Sequence, residues 1–441
     1  MTTKKRIGPL FTDLYELTMA AAYYKHNLLS DATFSLFVRD HKSNRNYFVA
    51  SGLENALKEL ESFHFSEAEI AFLKDTGLFA NNFLDYLKRL AFTGQVIAMP
   101  EGTIFFANEP VMEITGPIIE AQIIETFLLN TIGFPTMIAS KAARCVHAAK
   151  GCPLLDFSLR RTHGQDAGLN AARSTYIAGF ASTSNVLAGK LYGIPISGTM
   201  AHSFIKAFDN ECDAFRAYAK TFPKNSVFLI DTYDTLEGAS NAVKIAKEMK
   251  RKGLAPIGIR LDSGDMTKLS IQVREILDKA GLKDIKIFAS SGFDEFKIDD
   301  AVEKGAKIDS FGVGTRLGVS ADAPYLDIVY KLVRFKGRNV KKLSPGKITL
   351  AGEKQVFRIS DISGMYQEDI IGLRNETIEG GKPLLEKVMK DGKRVHPHPS
   401  LQEIRKRFSK NFSCLDDRYK MIQDAPDYPA KISRSLKALQ A

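Results

Sequence analysis

Between about Pro135 and Gly318 the chain repeats one rhythm, a short apolar-rich run followed by a stretch of helical spacing. The runs are Leu154 to Leu159, Val227 to Asp231, Ile257 to Asp262, Ile285 to Ser290 and Ile308 to Val313. Of the intervening stretches, one places Leu236, Ala239, Val243 and Ala246 on one helical face and stops near Gly253. Another places Leu269, Val273, Ile276 and Leu277 together and stops near Gly281, where a glycine can take the left-handed cap conformation. Strands that are apolar on both faces need cover on both, and a helix between successive strands supplies it by a parallel crossover. Serial units of this kind predict an α/β barrel.

The flanking sections have another texture. Within residues 8–133, Ala56, Leu57, Leu60 and Phe63 recur at helical spacing, and Ser66 reads as the N-cap of a further helix. Gln95 to Thr115 is cut by Pro-Glu-Gly and Asn-Glu-Pro into short β-type runs, which predicts a meander. After Gly318, β-type runs with turns at Ser344-Pro345-Gly346 and Ser363-Gly364 precede a charged helical tail around Leu401 to Phe408. The likeness of the two ends predicts that residues 319–441 pack back on residues 8–133, with the barrel, residues 134–318, inserted between them.

With 441 residues, 44% of them hydrophobic and 25% charged, the chain can bury a sizeable core in two or three domains. Its net charge of +10 favours an anionic partner. The densest basic stretch, Lys331 to Lys347, holds seven basic residues and no acidic one. Its apolar positions and glycine turns read as a hairpin with a solvated basic face, and no nucleic-acid signature accompanies it. Cys145, Cys152, Cys212 and Cys414 lie scattered, which suits a reducing compartment better than disulfides or zinc. No signal segment is evident, and no apolar run approaches the roughly 20 residues that span a bilayer. A cytoplasmic protein with no membrane and no nucleic-acid partner is expected.

Polar residues crowd the C-terminal ends of the barrel strands: Ser158 to Arg161, Gly198 to Ser203, Asp231 to Asp234, Arg260 to Asp265, Ser290 to Gly292 and Gly312 to Thr315. In a β/α barrel that rim carries the active site, and its last loops cradle phosphate with backbone N–H groups. Singly, each cluster has a plainer reading. Asp231 or Asp262 could be a helix cap, His202 an interior histidine, and Gly-x-Gly-Thr a turn. Six in series are hard to explain as caps. Together they predict a site cationic on one side (Arg160, Arg161, Arg260) and carboxylate-bearing on the other (Asp231, Asp234, Asp262, Asp265), suited to a phosphorylated sugar and magnesium.

These clusters, with Thr12-Asp13-Leu14-Tyr15-Glu16-Leu17-Thr18-Met19 and the segments Lys342 to Lys347 and Pro399 to Arg405, closely resemble nicotinate phosphoribosyltransferases over roughly Gly8 to Phe408. The resemblance implies a type II phosphoribosyltransferase fold, an irregular α/β barrel beside a sandwich-like α/β domain built from both chain ends. It implies synthesis of nicotinate mononucleotide and diphosphate from nicotinate and phosphoribosyl pyrophosphate, in NAD salvage, with ATP as co-substrate and Mg2+ as cofactor. His202 would be the histidine that ATP phosphorylates. Tyr15, Thr199 and Arg260 would hold nicotinate. Arg160, Asp262, Ser291, Gly292, Gly314 and Thr315 would bind the sugar phosphate and its ribose, and Asp231 would sit near the metal. A homodimer with shared active sites is implied, Tyr15 acting in the neighbouring subunit. Thr162-His163 depart from the family pattern, which leaves a role for His163 open, and Ser290-Ser291-Gly292 also varies across the family. Against a nicotinamide-using sister enzyme stands the Leu14-Tyr15-Glu16 motif. The chain's length and its Gly-Thr-x-Ala-His-Ser motif stand against quinolinate-using relatives, and the crowded strand ends against a non-catalytic barrel.

Overall fold

The structure, a computed structural model, describes residues 8–39, 45–342 and 349–441. By its contacts the chain divides into two compact units, Met1–Met137 with Tyr325–Ala441, and Ile138–Pro324.

Both chain ends build the first unit. Its seven-stranded sheet runs Arg338–Asn339, Ile328–Phe335, Asp31–Val38, Pro110–Pro117, Gln95–Ala98, Glu386–Lys390, Lys393–Arg394. The three central strands come from the N-terminal section, and strands from the C-terminal section flank them on both sides, antiparallel at each junction. Leu36, Val38, Val96 and Ile114 are fully buried under helices that include Leu53–Glu61, Glu67–Asp75 and Asn81–Lys88. Ser66 caps its helix as expected, in a reciprocal capping box with Glu69. The basic stretch is a hairpin in its described part, Ile328–Phe335 returning through Lys336-Gly337 to Arg338–Asn339. The Ser344-Pro345-Gly346 turn and most of the Lys342 to Lys347 segment lie outside the described residues. A second sheet pairs Gly381–Pro383, Lys354–Ser360, Tyr366–Leu373 and Ala430–Ile432.

One expectation needs correction. Helical residues from Ile118 to Ala148 are long and apolar enough to cross a bilayer by length and composition, although 72% of the most apolar window is buried. Lys141 and Arg144 break the apolar run in sequence, and both are buried in ion pairs with Glu295, 2.6 and 3.1 Å away. The four cysteines are free thiols.

The second unit holds an all-parallel sheet of six strands, ordered Ser182–Thr183, Leu154–Asp156, Ser310–Val313, Lys286–Ala289, Gly258–Leu261, Val227–Leu229. Five coincide with the runs read from sequence. The sixth, Ser182–Thr183, is too short to show periodicity. Along Gly258–Leu261, Ile259 and Leu261 are buried in the helix-covered core, whereas Arg260 faces a cavity of about 300 Å³ inside the sheet. Leu155, Val227, Phe288 and Gly312 line the same cavity, so residues of five strands face one interior and the sheet is curled. Among the described residues no ladder joins Ser182–Thr183 to Val227–Leu229, which are its two edges. The gap side carries the segment around Ile196, which bridges Thr183, and Ser197, whose N–H donates to the Thr183 carbonyl. The barrel is therefore irregular, closed partly by non-strand chain.

Candidate active site

Strand register sets the site. Lys286–Ala289 and Ser310–Val313 are neighbours, with Ala289 beside Phe311, so the loops Ser290-Ser291-Gly292 and Gly314-Thr315 leave the sheet side by side. Arg160, Thr199, His202, Arg260, Asp262, Ser291, Gly292, Gly314 and Thr315, read from separate segments of the sequence, all line one cavity of about 490 Å³. Two of the candidate residues lie elsewhere. Asp231 does not line the cavity but supports it, accepting the Asp262 N–H at 2.9 Å and the Ser263 hydroxyl at 2.5 Å through Oδ2. Tyr15 belongs to the first unit, half exposed on the helix Leu14–Lys25, where burial and then Glu125, Glu16 and Asp13 hold its hydroxyl protonated above the ordinary range.

Arg260 is the central charge. It donates to the Thr199 hydroxyl, and its Nε is buried without a hydrogen-bond partner. Burial lowers its pKa, with Asp262 and Asp231 opposing. A half-buried cation with an idle donor beside an open cavity is matched to an anion, since guanidinium pairs with carboxylate through forked bonds.

His202 begins the short helix His202–Lys206. Its Nδ1 lies 3.1 Å from Thr232 Oγ1, and its Nε2 lies 3.6 Å from Asp262 Oδ2. Ser290 donates to the other Asp262 oxygen, so that carboxylate is held between the serine and the imidazole. The Gly198 to Ser203 cluster does not end a strand, as the sequence suggested. It follows the single bridge at Ile196 and runs along the gap side of the barrel.

Two of the four carboxylates expected at the rim are caps. Asp234 accepts the N–H groups of Leu236 and Glu237, and Asp265 that of Lys268, each starting a helix. Asp231 and Asp262, for which capping had been the plainer reading, are not caps. Asp231 Oδ1 is buried without a partner, an oxygen free for a hard cation. Among the described residues no three His, Cys, Asp or Glu side chains cluster as a metal cage. A magnesium ion here would take Asp231, and otherwise depend on substrate phosphates and water.

The phosphate-type loops are strained and tight. Ser291 has φ +114°, a conformation that costs a non-glycine residue about 1–3 kcal/mol and clusters at functional sites. A Cβ on Gly312 would lie 2.7 Å from the Phe157 ring, so only glycine admits that ring. Asp156 shapes the neighbouring loop. Its Oδ1 accepts the Ser158 N–H at 2.9 Å and hydroxyl at 2.6 Å, ending the strand at Asp156 and turning Leu159–Arg161 into a 3-10 helix. That is why the expected strand to Leu159 stops short, and it presents Arg160 to the cavity. Arg161 and His163 are exposed and are not among the lining residues.

Sequence reasoning gave no role to Phe157 or Phe288, and it placed Thr232 and Ser290 in rim clusters without finding what each one holds. Alternation along a strand offered a signal for Phe157, two residues after inward Leu155. For Thr232 and Ser290 the signal is tertiary, because each acts on a residue from another loop.

Three family matches cover most of the chain. Residues 10–133 match the nicotinate phosphoribosyltransferase N-terminal domain, residues 152–358 the nicotinate phosphoribosyltransferase family, and residues 381–440 the C-terminal domain. A nicotinate phosphoribosyltransferase of Mycobacterium tuberculosis is 44% identical over 435 residues, spanning 98% of this chain and 93% of that protein. Another, of Bacillus subtilis, is 39% identical over 96% of this chain and 92% of its own length. The crystal structure of human nicotinic acid phosphoribosyltransferase superposes with a TM-score of 0.87 at 28% identity, over 97% of this chain and 99% of that one. Matched in sequence across both units and in fold along nearly its whole length, this chain belongs to the nicotinate phosphoribosyltransferase family.

Proposed function

We propose that the enzyme joins nicotinate to the ribose 5-phosphate moiety of phosphoribosyl pyrophosphate, releasing diphosphate, with ATP consumed through phosphorylation of His202. The observation that carries this reading is Arg260, a half-buried guanidinium with an idle Nε inside the barrel and next to two glycine-containing loops. A nicotinate carboxylate satisfies that donor, whereas the neutral amide of nicotinamide leaves the charge unmatched. Thr199 orients the guanidinium, and Tyr15, protonated, offers a hydroxyl from a neighbouring subunit of a homodimer. Ser291, Gly292, Gly314 and Thr315 receive the 5-phosphate, Arg160 the diphosphate, and Asp262 the ribose hydroxyls.

The nicotinate ring nitrogen attacks the anomeric carbon as the carbon–oxygen bond to diphosphate breaks. Positive charge gathers on the sugar, so the site's work is to align the reactants and stabilise the leaving group. Magnesium, when bound through Asp231, supplies charge neutralisation of the diphosphate. No protein nucleophile is needed at the sugar.

Thr232 holds one nitrogen of His202, leaving Nε2 to attack the γ-phosphorus of ATP with ADP departing. Water later cleaves the N–P bond, and the lost phosphoryl group drives synthesis forward. The product makes this an enzyme of NAD salvage, and its four free cysteines fit a reducing compartment such as the cytoplasm. His202→Ala is expected to abolish both label uptake from γ-labelled ATP and ATP stimulation while keeping slow ATP-independent mononucleotide synthesis. Undiminished ATP coupling in that variant removes His202 from the mechanism. Parallel assays with nicotinate and nicotinamide test the substrate assignment, and preference for the amide overturns it.

A further inference from the structure

Outside the barrel, the first unit contains a cavity of about 540 Å³ bordered by its four-stranded sheet and the helix Leu401–Cys414. We propose that this cavity is a second anion site, which binds a small molecule carrying more than one phosphoryl group. Five basic residues line it, Arg358, Lys382, Lys406, Arg407 and Lys410, against a single carboxylate, Glu386. Asp369 already pairs with Arg358, which leaves Lys382, Lys406, Arg407 and Lys410 facing Glu386, a surplus that a di- or triphosphate chain matches better than a monoanion.

Three observations separate this cavity from an ordinary solvated basic face. First, Lys406 and Lys410 lie four residues apart on one helix, an arrangement that repels and weakens the helix unless an anion sits between them. Among the described residues, the ammonium groups of Lys382, Lys406 and Lys410 take part in no salt bridge or hydrogen bond. Second, Arg358 is only 3% exposed and doubly bonded to Asp369, at 2.9 and 2.5 Å, yet its Nη1 is buried without a hydrogen-bond partner. Third, the wall is already fixed. The Arg358 guanidinium stacks 4.3 Å over the Tyr366 ring, the Tyr366 hydroxyl donates to Asn411 at 2.8 Å, and Arg407 donates to the Glu101 carbonyl at 2.8 Å. Donors held in place before binding lose little freedom on binding, which favours a specific site over diffuse attraction.

The test is calorimetric titration of the full chain with inorganic tripolyphosphate, beside the double variants K406Q/K410Q and K406R/K410R. Two binding events per chain are expected in the unaltered protein, one at each cavity. K406Q/K410Q should lose one of them by at least tenfold in affinity and keep the other, and K406R/K410R should keep both. An unchanged titration in K406Q/K410Q overturns the proposal, all the more if that variant melts higher because repulsion alone was removed. Loss in the arginine variant as well, with the circular dichroism of the native fold, also overturns it. Failure of the barrel reading shows differently: a single event in the unaltered protein, abolished by K406Q/K410Q.

Discussion

Arg260 shows how one residue is made specific by its surroundings. On the strand Gly258–Leu261 its neighbours Ile259 and Leu261 point into the helix-covered core, so strand alternation turns the guanidinium to the barrel interior. Losing one charge-assisted contact is worth about 1.5–3 kcal/mol, roughly 10- to 150-fold. Arg260→Ala is therefore expected to raise the KM for nicotinate by that factor while leaving the KM for the sugar substrate nearly unchanged, and steady-state kinetics with each substrate varied in turn check it. Equal effects on both would reassign the arginine. Asp156 makes a different point. Burial raises its carboxyl pKa despite the hydrogen bonds from Ser158 and Thr183 that lower it. The native state then holds this proton better than the unfolded chain does. Stability from the group is complete below the ordinary aspartate range and is lost as pH rises through the raised value. Asp156→Asn removes this titration, so the stability difference between variant and parent should change across that acidic window and level off above it. Denaturant unfolding at several pH values measures it, and a difference flat throughout refutes the account.

At the scale of elements, the site depends on how closely helices approach strand ends. The helix Thr235–Lys250 lies against the loop that carries Asp231, and the contact is made at Gly238, where a Cβ would stand 2.0 Å from the Ile230 carbonyl oxygen. Alanine is favoured over glycine by about 1 kcal/mol in a helix interior. Overpacking against backbone costs about 1–3 kcal/mol and wins here, because a carbonyl in a strand end cannot swing aside as a side chain would. Gly238→Ala is expected to lower the denaturant midpoint and, by displacing Ile230 and hence Asp231, to reduce turnover. A variant as stable and active as the parent would show that the helix relaxes freely. The same helix was legible in advance from Leu236, Ala239, Val243 and Ala246, and its N-cap Asp234 was visible but taken for a site carboxylate. Sequence spacing marks a helix start; it does not say whether an aspartate there faces the backbone or a ligand.

For the whole molecule, the seven-stranded sheet makes the two chain ends interdependent. Asp31–Val38, buried at all but its first residue, pairs with Ile328–Phe335 on one side and Pro110–Pro117 on the other. A chain ending at Pro324 leaves this apolar strand as an open edge, a template for aggregation. Such a truncation is expected to be insoluble or multimeric by light scattering, and a soluble monomer with the parent's strand content would contradict the pairing.

The sequence determined five of the six barrel strands, helices between them and the residue types at the rim, because two-sided burial and helical spacing are local patterns that survive any arrangement of the whole. It also carried the family motifs. Tertiary structure decided the rest: that Phe157 faces Gly312, that Thr232 and Ser290 hold His202 and Asp262, that Asp234 and Asp265 are caps, and that a non-strand segment closes the barrel. Each of these depends on which distant backbone lies within about 3 Å, the reach of a hydrogen bond, and that proximity is fixed only once the strands are in register.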